Sequence, residues 1–224
     1  MCRFLQEAAT EHAALLGVAV EDLVESGVAW VLSRLSLKVD AWPEFDDEIV
    51  ISTWPEAVNR LVTERRFEIA SRQGATLGTA ATLWFVLDLD RRRPVRLPAA
   101  VVEALSKHEL GDRPARPNEL AAPGASDREV NFQVRRSDLD RAGHANNTSY
   151  VEWAMEAVPD DVWTNEDLCR LEVAYLAECH RGQTVASRSQ LLPAVQSHEL
   201  RHQIFRRDDS VEVARAWSKW CERR

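Results

Sequence analysis

The sequence predicts an α+β protein written twice, each half a helix followed by an antiparallel meander. Three observations carry this. Helical and extended segments do not alternate regularly, so a parallel sheet with crossover helices is excluded. Five of the nine prolines (Pro94, Pro98, Pro114, Pro117, Pro123) fall within residues 94–123, together with Gly111 and Gly124, and mark a linker between two structured halves. The halves also match each other: Leu35, Leu37 and Val39 correspond to Leu171, Val173 and Tyr175 at a constant shift (171 − 35 = 136).

In the first half, "CRFLQEAATEHAALLGV" reads as a helix and "RLSLKVDAWPEFDDEIVISTW" as an extended segment with the period-two alternation of a half-buried strand. "RLVTERRFEIAS" and "TLGTAATLWFVLDL" continue the meander. A short amphipathic helix, "AAVVEALSKHEL", precedes the least regular part of the linker. In the second half the helix is "NTSYVEWAMEAV", followed by "RLEVAYLAECHRGQTVASRSQ", "HELRHQIFRR" and "SVEVARAWSKW". An additional alternating strand, "REVNFQVRRSD", comes before that helix. The first half begins too late to contain its counterpart, so that strand is either absent or beyond the start of the chain. The division expected is 1–97, a linker at 98–127 and 128–224. Thr82, Trp84 and Val86 should share one strand face, as should Val211, Val213 and Trp217. Trp84, Trp217 and Trp220 on strand patterns and Trp153 on a helix face are expected in the core, and Trp30, Trp42 and Trp54 are expected to pack around the first repeated strand.

Composition restricts the function. A chain of 224 residues, 45% apolar and 29% charged, is an ordinary globular protein with ample length for a core. Its net charge of −8 argues against general nucleic-acid binding. No apolar run approaches the roughly 20 residues of a membrane span, and the opening residues lack the layout of a secretory signal. Cys2, Cys169, Cys179 and Cys221 show no CxxC spacing, so neither a zinc site nor a disulfide framework is expected. A reduced, cytoplasmic protein without metal or cofactor is the expectation.

The chemistry concentrates in "RRSDLDRAGHANNTSYVEWAMEAVP", residues 135–159. Asn146 or Asn147 can cap the helix that follows, since a side-chain amide satisfies first-turn N–H groups. Tyr150, Trp153, Ala154, Ala157 and Val158 then recur as a buried stripe, with Glu152 and Glu156 on the opposite face and Pro159 ending the helix. Asp140 and His144 are thus brought to a helix N-terminus, where partial positive charge suits a developing oxyanion. Gly143 permits close approach of a ligand. Glu178, Cys179 and His180 follow on the next strand. His12, His108, His198 and His202 have no partners assembled by sequence and read as surface or structural residues.

The strings "SDLDRAGHANNTSYVEWAMEAVP" and "YLAECHRGQTV" resemble the Asp-x-Asn-x-His-x-Asn-Asn and Tyr-x-x-Glu-Cys segments of the acyl-acyl carrier protein thioesterases. "VAWVLSRLSLKVDAWPEFDDEIVISTWP" and "ATLWFVLDLDRRRPVRLP" resemble the N-terminal part of the same family. The resemblance implies a double hotdog, two antiparallel sheets each wrapping a helix. It implies catalytic positions at Asp140, His144, Glu178 and Cys179, and substrate contacts at Gly143, Asn146, Asn147 and Tyr150. It further implies an acyl-thioester substrate carried on the phosphopantetheine arm of acyl carrier protein or coenzyme A, without cofactor. Ala142 departs from the pattern, replacing the asparagine between Asp140 and His144. Glu178 is the expected base on water, with His144 and helix amides facing the oxyanion and Asp140 orienting the ring or a nearby amide. Cys179 is the rival nucleophile, and a non-catalytic acyl-thioester binder is the alternative from another class. The first-half helix has no His-x-Asn-Asn equivalent, so one active site per chain is expected, with the first half supplying the acyl-chain pocket. Association into a homodimer stays open.

Overall fold

The computed structural model describes residues 1–108, 119–193 and 197–223. Part of the proline-rich linker, including Gly111, Pro114 and Pro117, lies outside the described residues, as does the end of the segment written "AAVVEALSKHEL". The chain divides into two compact units, Met1–Pro117 and Asn118–Arg224.

The first unit opens with α1 (Cys2–Leu15) and α2 (Val20–Glu25), followed by β1 (Val28–Val39), β2 (Ile49–Val58), β3 (Val62–Ser71), β4 (Thr76–Asp88), the short β5 (Arg93–Val95) and α3 (Ala99–Leu105). Among the described residues no strand precedes α1. The strands are antiparallel in the order β2-β3-β4-β1, with β5 added to β4. Leu35 and Leu37 of β1 lie opposite Thr82 and Ala80 of β4, and all four are buried. Val86 is fully buried where β4 meets Val18, Leu23, Leu97, Val101 and Leu105. Apolar residues from α2, β4 and α3 thus pack into one cluster, each contributing about 1.5–3 kcal/mol by leaving water.

Two expectations are corrected here. The extended segment beginning at "RLSLKVDAWPEF" is two strands, because β1 ends at Val39 and a loop intervenes before β2. The loop is shaped by Asp46 in the left-handed region and by an Asp47 carboxylate accepting from the Glu44 amide. Trp42 therefore stands past the strand end and is 41% exposed. Trp54 is also a surface residue, on edge strand β2, where its indole N–H donates to Glu56. Trp30 is partly buried and donates to the Val18 carbonyl.

The second unit contains β6 (Arg128–Gln133), a 3₁₀ turn (Arg136–Asp138), α4 (Asn147–Met155), α5 (Asp160–Asn165), β7 (Glu166–Tyr175), β8 (Thr184–Leu192), β9 (His198–Arg206) and β10 (Glu212–Glu222). Its antiparallel order is β7-β10-β9-β8-β6. α4 is the central helix: Tyr150, Trp153 and Ala154 on it are buried, as are Ala157 and Val158 in the turn that follows, while Glu152 and Glu156 are exposed. The helix is shorter than expected: α4 ends at Met155 with Glu156 as its C-cap, and Pro159, three residues further on, is instead the N-cap of α5, whose Val162 joins Val158, Leu200 and Trp220 in one apolar cluster.

The face assignment on the last strand is also corrected. An irregularity at Val213 places one extra residue in β10 relative to β9. A bulge exchanges the faces beyond it. Ala214, Ala216, Ser218 and Trp220 consequently point inward and Trp217 is only partly buried. The antiparallel pairing of β7 with β10 also brings Cys169 and Cys221 together as a disulfide, with Cα atoms 6.1 Å apart. This corrects the expectation of unpaired thiols. The bond joins strands adjacent in the sheet but 52 residues apart in the chain, a proximity that spacing does not reveal.

No helix among the described residues is long and apolar enough to cross a membrane.

Candidate active site

Two short segments of the second unit build the site. The loop after the 3₁₀ turn folds on itself: the Asp140 amide donates to the His144 carbonyl (2.8 Å), and the Asp140 carboxylate accepts from the His144 amide (3.1 Å). Gly143, at φ +84°, closes this turn with its amide on the Asp140 carbonyl. The loop then runs antiparallel to the segment after β7. His144 bridges His180, and the Ala145 amide donates to the Cys179 carbonyl (2.8 Å).

That second segment is held from several sides. The Tyr150 hydroxyl donates to the Ala177 carbonyl (3.2 Å) and accepts from the Cys179 amide (2.9 Å). Arg206 donates to the Glu178 carbonyl (2.6 Å) while its other guanidinium nitrogen pairs with Asp209 (2.8 Å). Glu178 thus projects from a backbone bracketed by one buried phenol and one guanidinium. Extended backbone points successive side chains to opposite sides. Cys179 accordingly turns inward and is fully buried, whereas Glu178 is partly exposed and His180 exposed.

His144 Nε2 lies 3.9 Å from Glu178 Oε2, with the side chains 32% and 36% exposed. That spacing exceeds a direct hydrogen bond and admits one water in reach of both groups. Asp140 engages the His144 backbone rather than its ring. Asn146, not Asn147, is the N-cap of α4: its side-chain oxygen accepts from the Thr148 amide (2.9 Å) and hydroxyl (2.9 Å). Tyr150 is 3% exposed and acts on the backbone beside Glu178. Burial pushes the Cys179 thiol above its ordinary value, and the nearby Tyr150 and Arg206 only partly oppose this.

Two residues of the site escaped sequence reasoning. Arg206 sits at the end of a later strand with no motif around it. Asp138 is one of several polar residues in its stretch of sequence, yet it is buried, paired with Arg135 through both carboxylate oxygens, and its carbonyl receives the Asn146 amide and the Ser149 hydroxyl. A capping pattern, Arg135 to Asp138 three residues on, was the available signal.

The first unit holds a cavity of about 60 Å³ walled by Ala9, Ala13, Val18, Trp30, Trp84 and Leu105, with the Arg65 guanidinium as its charged member. Arg65 donates to Thr53 Oγ1 (3.2 Å) and contacts His12 Nδ1 (2.7 Å). Burial lowers its pKa to about 10 and, with the neighbouring charge of Arg65, lowers that of His12, so the imidazole is the neutral acceptor. Arg65 stays cationic at pH 7 at a desolvation cost of about 3 kcal/mol. Its two hydrogen bonds return about 1 kcal/mol each. Arg65→Met is therefore expected to gain about 1 kcal/mol of stability, seen as a Tm rise of about 2–4 °C by circular dichroism. An unchanged or lower Tm would show that the guanidinium stabilises this wall.

Comparison with known proteins agrees with this architecture. The acyl-ACP thioesterase N-terminal domain model matches residues 1–105, and the acyl-ACP thioesterase C-terminal domain model matches residues 122–222. A chloroplastic palmitoyl-acyl carrier protein thioesterase of Cuphea hookeriana is 23% identical over 96% of this chain and 55% of its own length. Its counterpart in Gossypium hirsutum is 27% identical over 96% of this chain and 57% of its own. The chain thus spans about half the length of the curated relatives it matches. Among solved structures, an acyl-ACP thioesterase from Bacteroides thetaiotaomicron superposes with a TM-score of 0.84 at 23% identity, covering 97% of this chain and 87% of that one. A 12:0-ACP thioesterase from Umbellularia californica gives 0.85 at 21% identity, covering 99% and 88%. These likenesses establish the double hotdog arrangement. With both domain models matched in order along the chain, the protein belongs to the acyl-ACP thioesterase family.

Proposed function

We propose that the chain hydrolyses an acyl thioester, releasing a fatty acid from acyl carrier protein by attack of water that Glu178 activates. The observation that carries this is the 3.9 Å approach of His144 Nε2 to Glu178 Oε2 on a water-accessible face. Glu178 takes a proton from water as its oxygen adds to the thioester carbonyl. His144, with a proton on Nε2, donates to the oxygen that becomes negative. Collapse of the tetrahedral intermediate breaks the C–S bond, and the departing thiolate takes the proton that Glu178 received from water, which restores the carboxylate. The Thr148 and Ser149 amides are occupied by Asn146, so the imidazole carries more of the oxyanion stabilisation than the helix terminus does. Loss of one such donor costs about 10²–10³-fold, so alanine at 142 in place of asparagine is compatible with turnover.

Asp140 and Gly143 fix the His144 loop, Asn146 and Asn147 begin the helix behind it, and Tyr150 positions the Glu178 backbone. Cys179 is structural in this reading: its thiol is buried and its ionisation suppressed. Cys179→Ser is expected to keep turnover within about tenfold, whereas loss of a covalent nucleophile costs about 10⁶-fold in measured cases. Single-turnover release of thiol and fatty acid from a purified acyl thioester measures this, and a loss of the larger size would make Cys179 the nucleophile.

The division 1–97, 98–127 and 128–224 assigns the acyl chain to the first part, a role supported by the apolar walls of its cavity. For the carrier we propose the exposed Arg91, Arg92, Arg93 and Arg96, which suit an acidic protein. Coenzyme A is the alternative carrier, since it presents the same phosphopantetheine arm. Ala142 favours a second reading, a binder without turnover. Incubation with acyl-ACP and acyl-CoA of several chain lengths decides it: binding with no thiol release above background defeats the hydrolase.

A further inference from the structure

We infer that His144, Glu178 and His180 form a binding site for a zinc-class divalent transition metal, and that its occupation switches hydrolysis off. The second clause rests on the hydrolytic reading above; the first does not. One ligand atom from each of the three side chains lies within 4.8 Å of the other two. The cause is the local backbone. Glu178 and His180 are two residues apart on an extended segment and share its outer side, with buried Cys179 pointing the other way. His144 faces His180 across an antiparallel bridge, the imidazole centroids 5.0 Å apart and inclined at 65°.

The donor set is chemically specific. Two imidazoles and one carboxylate with a fourth position open to water suit zinc, cobalt, nickel or copper and do not suit magnesium or calcium, which prefer all-oxygen shells. Metal–ligand bonds of about 2.0–2.2 Å in a tetrahedron put donor atoms about 3.4 Å apart. The three groups must therefore close by an ångström or so, which rotation of the exposed His180 ring and the partly exposed Glu178 carboxylate can supply. The frame beneath them is fixed. Asp140 holds the His144 amide, Arg206 holds the Glu178 carbonyl, and Gln183 Oε1 accepts from the His180 amide (2.7 Å).

Occupation removes both reacting groups. A ligating imidazole nitrogen cannot carry a proton, so His144 Nε2 bound to metal no longer donates to an oxyanion. A carboxylate lone pair committed to the metal no longer accepts a proton from water. His180 has no part in the proposed reaction, so it separates metal sensitivity from catalysis.

The test uses the whole chain, stripped with EDTA and titrated with zinc chloride in a calorimeter and, in parallel, with cobalt(II) followed by visible absorption. Fatty-acid release from an acyl thioester is measured by mass spectrometry in the same solutions. Expected are one zinc per chain, a fall in turnover that EDTA reverses, and no effect of magnesium. His180→Ala should keep the metal-free turnover and weaken zinc binding and inhibition by at least about tenfold, the scale on which even outer partners of a metal matter. Absence of calorimetric binding, or equal affinity in His180→Ala, overturns the site; zinc-dependent activation overturns the switch. His180-dependent binding to a protein with no turnover at all keeps the metal site and defeats the hydrolase reading instead.

Discussion

Glu178→Gln is expected to lower kcat on an acyl thioester by about 10²–10⁴-fold, the range over which a positioned general base acts. Glutamine keeps the length and shape of the side chain. The backbone contacts that fix this residue, Arg206 to its carbonyl and Tyr150 to the peptide groups on either side, are untouched. What is lost is a basic oxygen 3.9 Å from the His144 ring. Because that oxygen acts on water only as the carbonyl is attacked, kcat and kcat/KM should fall together, with KM nearly constant. Steady-state rates at several substrate concentrations read this directly. Turnover near that of the parent protein would remove Glu178 as the base. A rise in KM alone would give it a role in substrate binding. Arg206→Met offers an independent check: it leaves the carboxylate in place but loosens its support, so its loss in rate should be smaller than that of Glu178→Gln.

Much of this arrangement was legible in the sequence, for a physical reason. Burial of one strand face imposes period two, and burial of one helix stripe imposes period 3.6. Hence the inward set of the α4 segment and the repeat linking Leu35 and Leu37 to Leu171 and Val173 are visible in the order of residues alone. The His144 loop was legible because capping chemistry is local: Asn146 reaches only to Thr148. What was hidden is what pairing creates. Cys169 meets Cys221, and Arg206 meets Glu178, only once strands are set in register. The β10 bulge defeated the alternation itself, since one extra residue moves Trp217 out of the inward set and lets Trp220 in. Trp42 and Trp54 failed differently. Aromatic residues near a strand are usually core, but a strand end and a sheet edge each leave a ring facing water. Likewise, only the antiparallel bridge sets the His180 ring against that of His144.

Acid should destabilise the second unit through His202, by about 3 kcal/mol between pH 6.5 and pH 4. This side chain lies in the middle of β9, fully buried, with Nε2 within 2.8 Å of the Ser218 hydroxyl. Its Nδ1 makes no regular hydrogen bond, although the Ala154 carbonyl of α4 bears on the ring and favours the charged form slightly. Burial dominates and depresses the pKa from 6.5 to about 4. The sign follows from proton counts. Between those two values the unfolded chain holds a proton on this imidazole and the folded chain does not, so unfolding takes up a proton and falling pH favours it. Above pH 6.5 both states are neutral and the group contributes no slope. Below pH 4 both are charged and the loss is complete. Carboxylates also titrate in this range, so a single acid curve does not isolate His202. His202→Gln does: its amide can still meet Ser218, whose oxygen also accepts from the Trp220 indole (3.0 Å), but it does not titrate. Urea unfolding of both proteins at pH 7 and pH 4 should show the parent losing about 3 kcal/mol more than the variant. Equal losses would mean that the imidazole is reached by water or gains a partner on protonation, and that β9 is not sealed beneath α4.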